Sequence, residues 1–388
     1  MLLAKTEPET GTTQYSYYSG GLLQNKLDAK SQQTQYSYDS YARLTQIRHY
    51  PANSNTEDVC QQVNFYYDSN PFAPGYSQYA LGRQTAVSYR GAGCGNITPG
   101  TGPPVNPNTF IEMYSYTQAG QKSGNELLVS QYISSDSTTV TADLEATYSY
   151  DNEGRMTGLR YPSSAASGFS GDSYAYTFDS LGRPIALTDQ TSSVAAVSGV
   201  TYGPAGEMLT IDYGMYSTVN ESRTYNSLLQ LTNIGAYNVN TGAQFGRQYS
   251  YSGTQNNGKI QWDKDTISGE QVSYQYDALN RLIAAQSGTW GQGFAYDGFG
   301  NLTDKNVISG SAPVYHTTFS AATNRDASVG YDTNGNQATA VIGGFNYSLG
   351  YDIENRLLSL APSGYTAGAG ALYGYGPGNQ RVYFGNGN

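Results

Sequence analysis

His49 and His316 are the only histidines in this chain of 388 residues. A serine or cysteine nucleophile would need one of them as its base. His49 lies in the strand-like run Leu44-Thr45-Gln46-Ile47-Arg48-His49-Tyr50, His316 follows Val314-Tyr315, and no local motif flags either. Both read as structural or surface residues. Gly253-Thr254-Gln255-Asn256-Asn257-Gly258-Lys259-Ile260 comes close to a phosphate-binding loop. Ile260 stands where a Ser or Thr should hold Mg²⁺, however, and no helix-like segment follows. Gly91-Ala92-Gly93-Cys94-Gly95 lacks the spacing of a dinucleotide fingerprint.

The remaining candidates are no stronger. Cys60 and Cys94 are too few for a structural zinc site without nearby histidines. They are either a disulfide across an irregular segment, as suits an extracellular protein, or two free thiols. The G-G-x-G-x-D spacing of calcium-binding β-rolls is missing. Carboxylate pairs that cleave glycosides are recognised by their separation in space, and the aspartates here have a sufficient reason as turn residues. Trp262 and Trp290 offer aromatic platforms for a sugar ring, or serve sheet packing. No residue is assigned a catalytic, cofactor-binding or metal-binding role.

What does recur is a short phrase. Tyr274-Gln275-Tyr276-Asp277-Ala278-Leu279-Asn280-Arg281-Leu282 has relatives at Tyr38-Asp39 with Arg43, and at Tyr150-Asp151 with Gly154-Arg155. Others are Tyr296-Asp297 with Gly300, and Tyr351-Asp352 with Asn355-Arg356. About 14 copies, mostly roughly 20 to 35 residues apart, mark a repeat architecture. Each copy reads as a β-hairpin. The two aromatics before the Asp share one strand face. Asp opens a type I turn, and Gly or Asn three residues on supplies the left-handed conformation that closes it. Ala42 occupies that position in one copy, so a distorted or strained turn is expected there. The geometry sets Asp277 opposite Arg281 and Asp352 opposite Arg356 on one face, with Tyr276–Leu282 and Tyr351–Leu357 on the other. Sheet stabilisation is thus the expected role of these residues.

Composition agrees. Tyr 38, Gly 46 and 13% charged residues favour strands and turns. No long stretch has helical apolar spacing, and Lys26 to Lys30 allows a short turn of helix at most. A net charge of −10 argues against a nucleic-acid partner, which needs a basic patch. No apolar run approaches the roughly 18 residues that span a bilayer, and Met1 to Glu7 lacks the apolar core of a signal peptide. Repeats begin almost at once at Tyr15, without a recognisable cap, and run to Tyr383. We therefore expect a chain that starts inside a longer protein. Gly91 to Asn108, rich in Gly and Pro, is expected to be a loop insertion in a single array spanning residues 1–388.

The phrase Y-x-Y-D-x-x-G-R-L, recurring from about Tyr15 to Phe384, resembles the YD repeats of the RHS family. That family also includes the C components of insecticidal toxin complexes and the teneurins. The resemblance implies an all-β array of antiparallel hairpins in a curved, spiralling sheet, forming part or all of a hollow shell. It implies a non-enzymatic wall around a C-terminal toxin or against other repeat segments, in a secreted or cell-surface protein. The D-P-x-G motif associated with self-cleavage in the family has no counterpart, since no Asp-Pro pair occurs. The family's aspartate-dependent cleavage is therefore assigned to no residue. Two other readings stand beside the wall: an adhesion or glycan-binding module using Trp262 and Trp290, and a fibre that self-assembles through open sheet edges.

Overall fold

The computed structural model describes residues 1–90, 109–133, 138–163, 171–214, 218–364 and 370–387. The Gly/Pro-rich segment 91–108 and Cys94 lie outside the described residues; Cys60 is disulfide-bonded. The protein is all-β and antiparallel, with a 24-stranded sheet and a five-stranded sheet. Among the described residues the only helical element is one 3₁₀ turn, Val59–Gln61, and no helix is long and apolar enough to cross a membrane. The chain divides into two compact units. Residues 1–147, 162–170 and 320–388 form the first, and residues 148–161 and 171–319 the second.

The hairpin of Gln33–Tyr38 and Leu44–Tyr50 shows how the repeat folds. The Asp39 amide donates to the Arg43 carbonyl and the Ala42 amide returns to the Asp39 carbonyl, both at 3.0 Å. The fourth turn residue must be left-handed: Ala42 has φ +62°, Asn280 +67°, Asn355 +62°, Gly154 +85° and Gly300 +92°. Ala42 therefore keeps the common turn, and its cost sits in its own backbone. Each such turn is followed by a one-residue bulge, so Tyr38 pairs with Leu44, Tyr276 with Leu282, Tyr296 with Leu302 and Tyr351 with Leu357.

These turns lie at one end of the strands, here termed the Asp rim. Other loops join successive hairpins at the far rim. The segment Lys26 to Lys30, where a short turn of helix was allowed at most, runs into one of these far-rim loops. Lys26 and Leu27 end the strand Leu23–Leu27, and the Asp28 carboxylate accepts from the amides of Lys30 (2.9 Å) and Gln32 (2.8 Å). A side chain that supplies the turn's hydrogen bonds at such short range removes the helix's advantage.

The core of the first unit is a cluster of Val87, Tyr89, Phe110 and Tyr114, with Val63, Phe65, Leu127 and Val382 packed against it. The Tyr89 and Phe110 rings stack at 5.3 Å. Burying each large apolar side chain contributes about 1.5–3 kcal/mol.

Candidate functional site: the Asp rim and the seam it makes

The Asp rim is the most regular chemical feature of the molecule. Asp277 Oδ1 accepts the amides of Leu279 and Arg281, both at 2.9 Å, while its Oδ2 accepts Arg281 Nε at 2.7 Å. The Arg281 amide and guanidinium hold this carboxyl below its ordinary range. The same set recurs at Asp39 with Arg43 and Asp151 with Arg155, and Arg356 makes both its bonds to Asp352, with Nε–Oδ2 distances of 2.7, 2.6 and 2.7 Å. At Asp297 the partner is the Asn301 amide group, at 2.8 Å.

The same arginines also reach the following repeat. Arg43 lies over the Tyr67 ring at 4.5 Å, Arg281 over Tyr296 at 4.7 Å and Arg356 over Tyr375 at 5.2 Å. Each guanidinium thereby bonds its own turn's carboxylate and also contacts the aromatic of the following hairpin.

The same aromatics donate their hydroxyls backwards. Tyr67 reaches the Leu44 carbonyl (3.0 Å), Tyr276 that of Ile260 (3.0 Å), Tyr296 that of Leu282 (2.8 Å) and Tyr375 that of Leu357 (2.8 Å). These carbonyls belong to the first strand residue after the preceding turn. In these four repeats the tyrosine that enters the turn therefore couples one repeat to the one before it.

In the first unit, three successive Asp-rim turns of residues 320–388 seat on far-rim elements of residues 1–90. The turn Asp332–Asn336 meets two loops. Arg325 Nε donates to the Glu9 carbonyl at 2.9 Å, and a Cβ on Gly335 (φ +86°) would lie 2.3 Å from that oxygen, so only glycine fits. Asn334 Nδ2 donates to Asp28 Oδ2 at 2.7 Å, its Oδ1 accepts the Lys30 amide at 3.0 Å, and Lys30 Nζ pairs with Asp332 at 3.0 Å.

The turn Asp352–Arg356 inserts Glu354 beside His49. The imidazole is 2% exposed, with Nδ1 at 2.8 Å from the Gln61 carbonyl and Nε2 at 2.8 Å from Glu354 Oε1. The two ring nitrogens thus face the Gln61 carbonyl and the Glu354 carboxylate. Burial works to raise the Glu354 carboxyl. The hydrogen bond from His49, with Lys26 and Arg356 nearby, overrides it and holds the group down at about 2. The Ile353 amide donates to Gln61 Oε1 at 2.9 Å, closing the contact.

The third turn, Gly376–Gln380, lies against Tyr89: a Cβ on Gly376 would come within 3.3 Å of its hydroxyl. A cavity of about 350 Å³ beside it is lined by Phe65, Val87, Glu112, Tyr114, Pro377 and Gln380.

The other sequence candidates lie apart from this seam. Trp262 is half-buried in the strand Ile260–Asp265, between Ser250 and Ser273. Trp290 is half-buried in a far-rim loop, its Nε1 donating to Glu270 at 2.8 Å. His316 is exposed and bonds Asp304 at 2.6 Å. The phosphate-loop look-alike is the turn before the strand Ile260–Asp265. Among the described residues no group of three or more His, Cys, Asp or Glu is placed to hold a metal ion. Sequence reasoning missed Asp28, Asn334 and Glu354. The available signal was the third turn position, polar at Asn334 and Glu354 where other repeats carry Leu181, Leu228, Leu279 or Phe299.

No family model matches the chain, and no curated protein does. Solved structures do. The Photorhabdus luminescens Tc holotoxin pore superposes with a TM-score of 0.74 at 15% identity, over 98% of this chain and 19% of that one. A crystal structure of TcdB2-TccC3 gives 0.76 at 15% identity over 98% and 20%. The same complex without its hypervariable C-terminal region gives 0.74 at 16% identity over 98% and 20%. The chain thus spans about a fifth of the length of the structures it matches, at 19–20%. Its fold is RHS-repeat-like.

Proposed function

We propose that this protein is a non-enzymatic section of an encapsulating wall in an RHS-type secreted or surface protein, built to enclose a toxin segment. The observation that carries the reading is the likeness to Tc toxin chains, which holds over 98% of the chain at TM-scores of 0.74–0.76. Two features of the geometry support it. A wall needs hairpins that cohere along the sheet, and the tyrosine hydroxyls and arginine–aromatic contacts link each repeat to its neighbour. A wall also needs rows of hairpins that seal against one another, and the polar seam of the first unit does this with paired, desolvated groups.

In this reading Tyr38, Asp39 and Arg43 set hairpin register, as do Tyr150, Asp151, Gly154 and Arg155. So do Tyr276, Asp277, Asn280 and Arg281, then Tyr296, Asp297 and Gly300, and finally Tyr351, Asp352, Asn355 and Arg356. Residues 1–388 are one array, and 91–108 an insertion in it. The test is negative-stain electron microscopy of the 388-residue chain at high dilution. Discrete, curved particles are the expected result, and flat sheets or fibres would sink the wall.

A further inference from the structure

Part of the first unit's seam rests on one very short element. The 3₁₀ turn Val59–Gln61 spans three residues, none of them buried. Its own backbone bonds are 3.1 Å (Gln61 amide to Asp58 carbonyl) and 3.4 Å (Gln62 amide to Val59 carbonyl). Such a turn has little intrinsic stability. Yet Gln61 serves the seat of the turn Asp352–Arg356 twice. Its Oε1 accepts the Ile353 amide at 2.9 Å, and its carbonyl faces His49 Nδ1 at 2.8 Å, on the ring whose other nitrogen meets Glu354.

Three things hold this turn in place. The strand Val63–Tyr67 anchors it on one side, while residues 51–57 on the other are largely exposed. Asp58 caps it, with Oδ1 accepting the Cys60 amide at 3.0 Å and Oδ2 accepting Gln61 Nε2 at 2.6 Å. That second bond also points Gln61 Oε1 at Ile353. The third tether is covalent. Cys60, at the centre of the turn, is half-buried and disulfide-bonded, and Cys94 is the chain's only other cysteine. The contacts of Asn334 with Asp28 and of Arg325 with Glu9 have no such tether beside them.

We propose that the disulfide at Cys60 is a redox latch on the seam. Intact, it holds Gln61 against Ile353 and keeps His49 aimed at Glu354; reduced, it frees the 3₁₀ turn and unseats the turn Asp352–Arg356. In that step a dithiol gives up two electrons and two protons and closes to its own disulfide, while Cys60 and its partner cysteine return to thiols. The seam is then closed in an oxidising compartment and loosened in a reducing one. The inference rests on the seam's geometry and stands whether or not the wall encloses a cargo.

The test is hydrogen exchange of the full chain, read at the Ile353 amide. Three samples are compared: oxidised wild type, wild type treated with dithiothreitol, and Cys94→Ser. The reference is the Asn280 amide, which donates to the Asp277 carbonyl in the second unit. Iodoacetamide labelling counts the thiols in each sample by mass. The oxidised wild type should take no label, and the reduced protein should take it at both cysteines. Exchange at Ile353 should then quicken at least about tenfold while Asn280 is unchanged. Cys94→Ser leaves every residue of the 3₁₀ turn in place. It should exchange as fast as the reduced wild type and respond no further to dithiothreitol. Labelling of Cys60 before reduction overturns the proposal. So does exchange at Ile353 that stays slow once both cysteines are labelled, or that stays slow in Cys94→Ser. An equal quickening at Asn280 also overturns it, because the disulfide would then support the whole fold rather than the seam.

Discussion

The turns Asp352–Arg356 and Asp277–Arg281 are the same object in two settings. Each closes with an Asn amide on the Asp carbonyl at 3.0 Å and an Arg Nε on the carboxylate at 2.7 Å. The Asn residues have φ of +62° and +67°. Only the third residue differs in kind: Glu354 is seated against a buried imidazole, whereas Leu279 is 72% exposed. The repeat therefore separates two tasks. Asp, Asn and Arg build the turn, and at 354 the residue between them makes the contact with a far-rim element.

The largest effect should come from emptying the docked position. Glu354→Ala leaves the His49 ring buried without its carboxylate. We expect a loss of about 2–3 kcal/mol, below the usual 3–5 for a broken buried pair because Glu354 keeps some solvent. Hydrogen exchange of the amides around Gln61 and Ile353 would read it locally, and unchanged protection would remove the seam from the account. Asn334→Leu makes a docked turn resemble a free one. It removes the donor to Asp28 Oδ2 while keeping the bulk, at a cost of about 1–3 kcal/mol. The reciprocal change, Leu279→Asn, should fall within about 0.5 kcal/mol in the monomer, because nothing there is seated. Equal effects from the two swaps would mean that the settings are not different.

Acid should discriminate the two as well. The Glu354 carboxyl lies at about 2 in the folded chain against an ordinary 4.5. Between those values the unfolded chain binds the extra proton, so the seam's contribution is complete above about pH 4.5 and is lost as pH falls toward 2. Glu354→Gln should flatten the seam's part of that slope. An acid-unfolding profile identical to the wild type would count against the pairing. The smallest effect belongs to Ala42→Gly. Glycine relieves the left-handed strain but adds freedom to the unfolded chain, for a net gain of roughly 0.5 kcal/mol in a denaturation midpoint.

The turn was legible because its information is local. Within five residues Asp supplies the acceptors, Gly or Asn the left-handed backbone, and Arg the second donor. The same short range made the bulge and the Tyr276–Leu282 pairing deducible. It also set a limit, since the far-rim turn at Asp28 uses the same device without the tyrosines that flag it. The arginine–aromatic contacts were not legible, because they join one hairpin to the next rather than residues within one turn.

What the sequence by itself determined was the repeating hairpin and its all-β consequence, through hydrogen bonds that span four residues. Only the tertiary structure decided which turns are seated and on what. His49 and Glu354 stand 305 positions apart, and Asp28 and Asn334 stand 306 apart. No local preference links such residues. Their pairing follows from burial, where each charge or amide must find a partner once water is excluded.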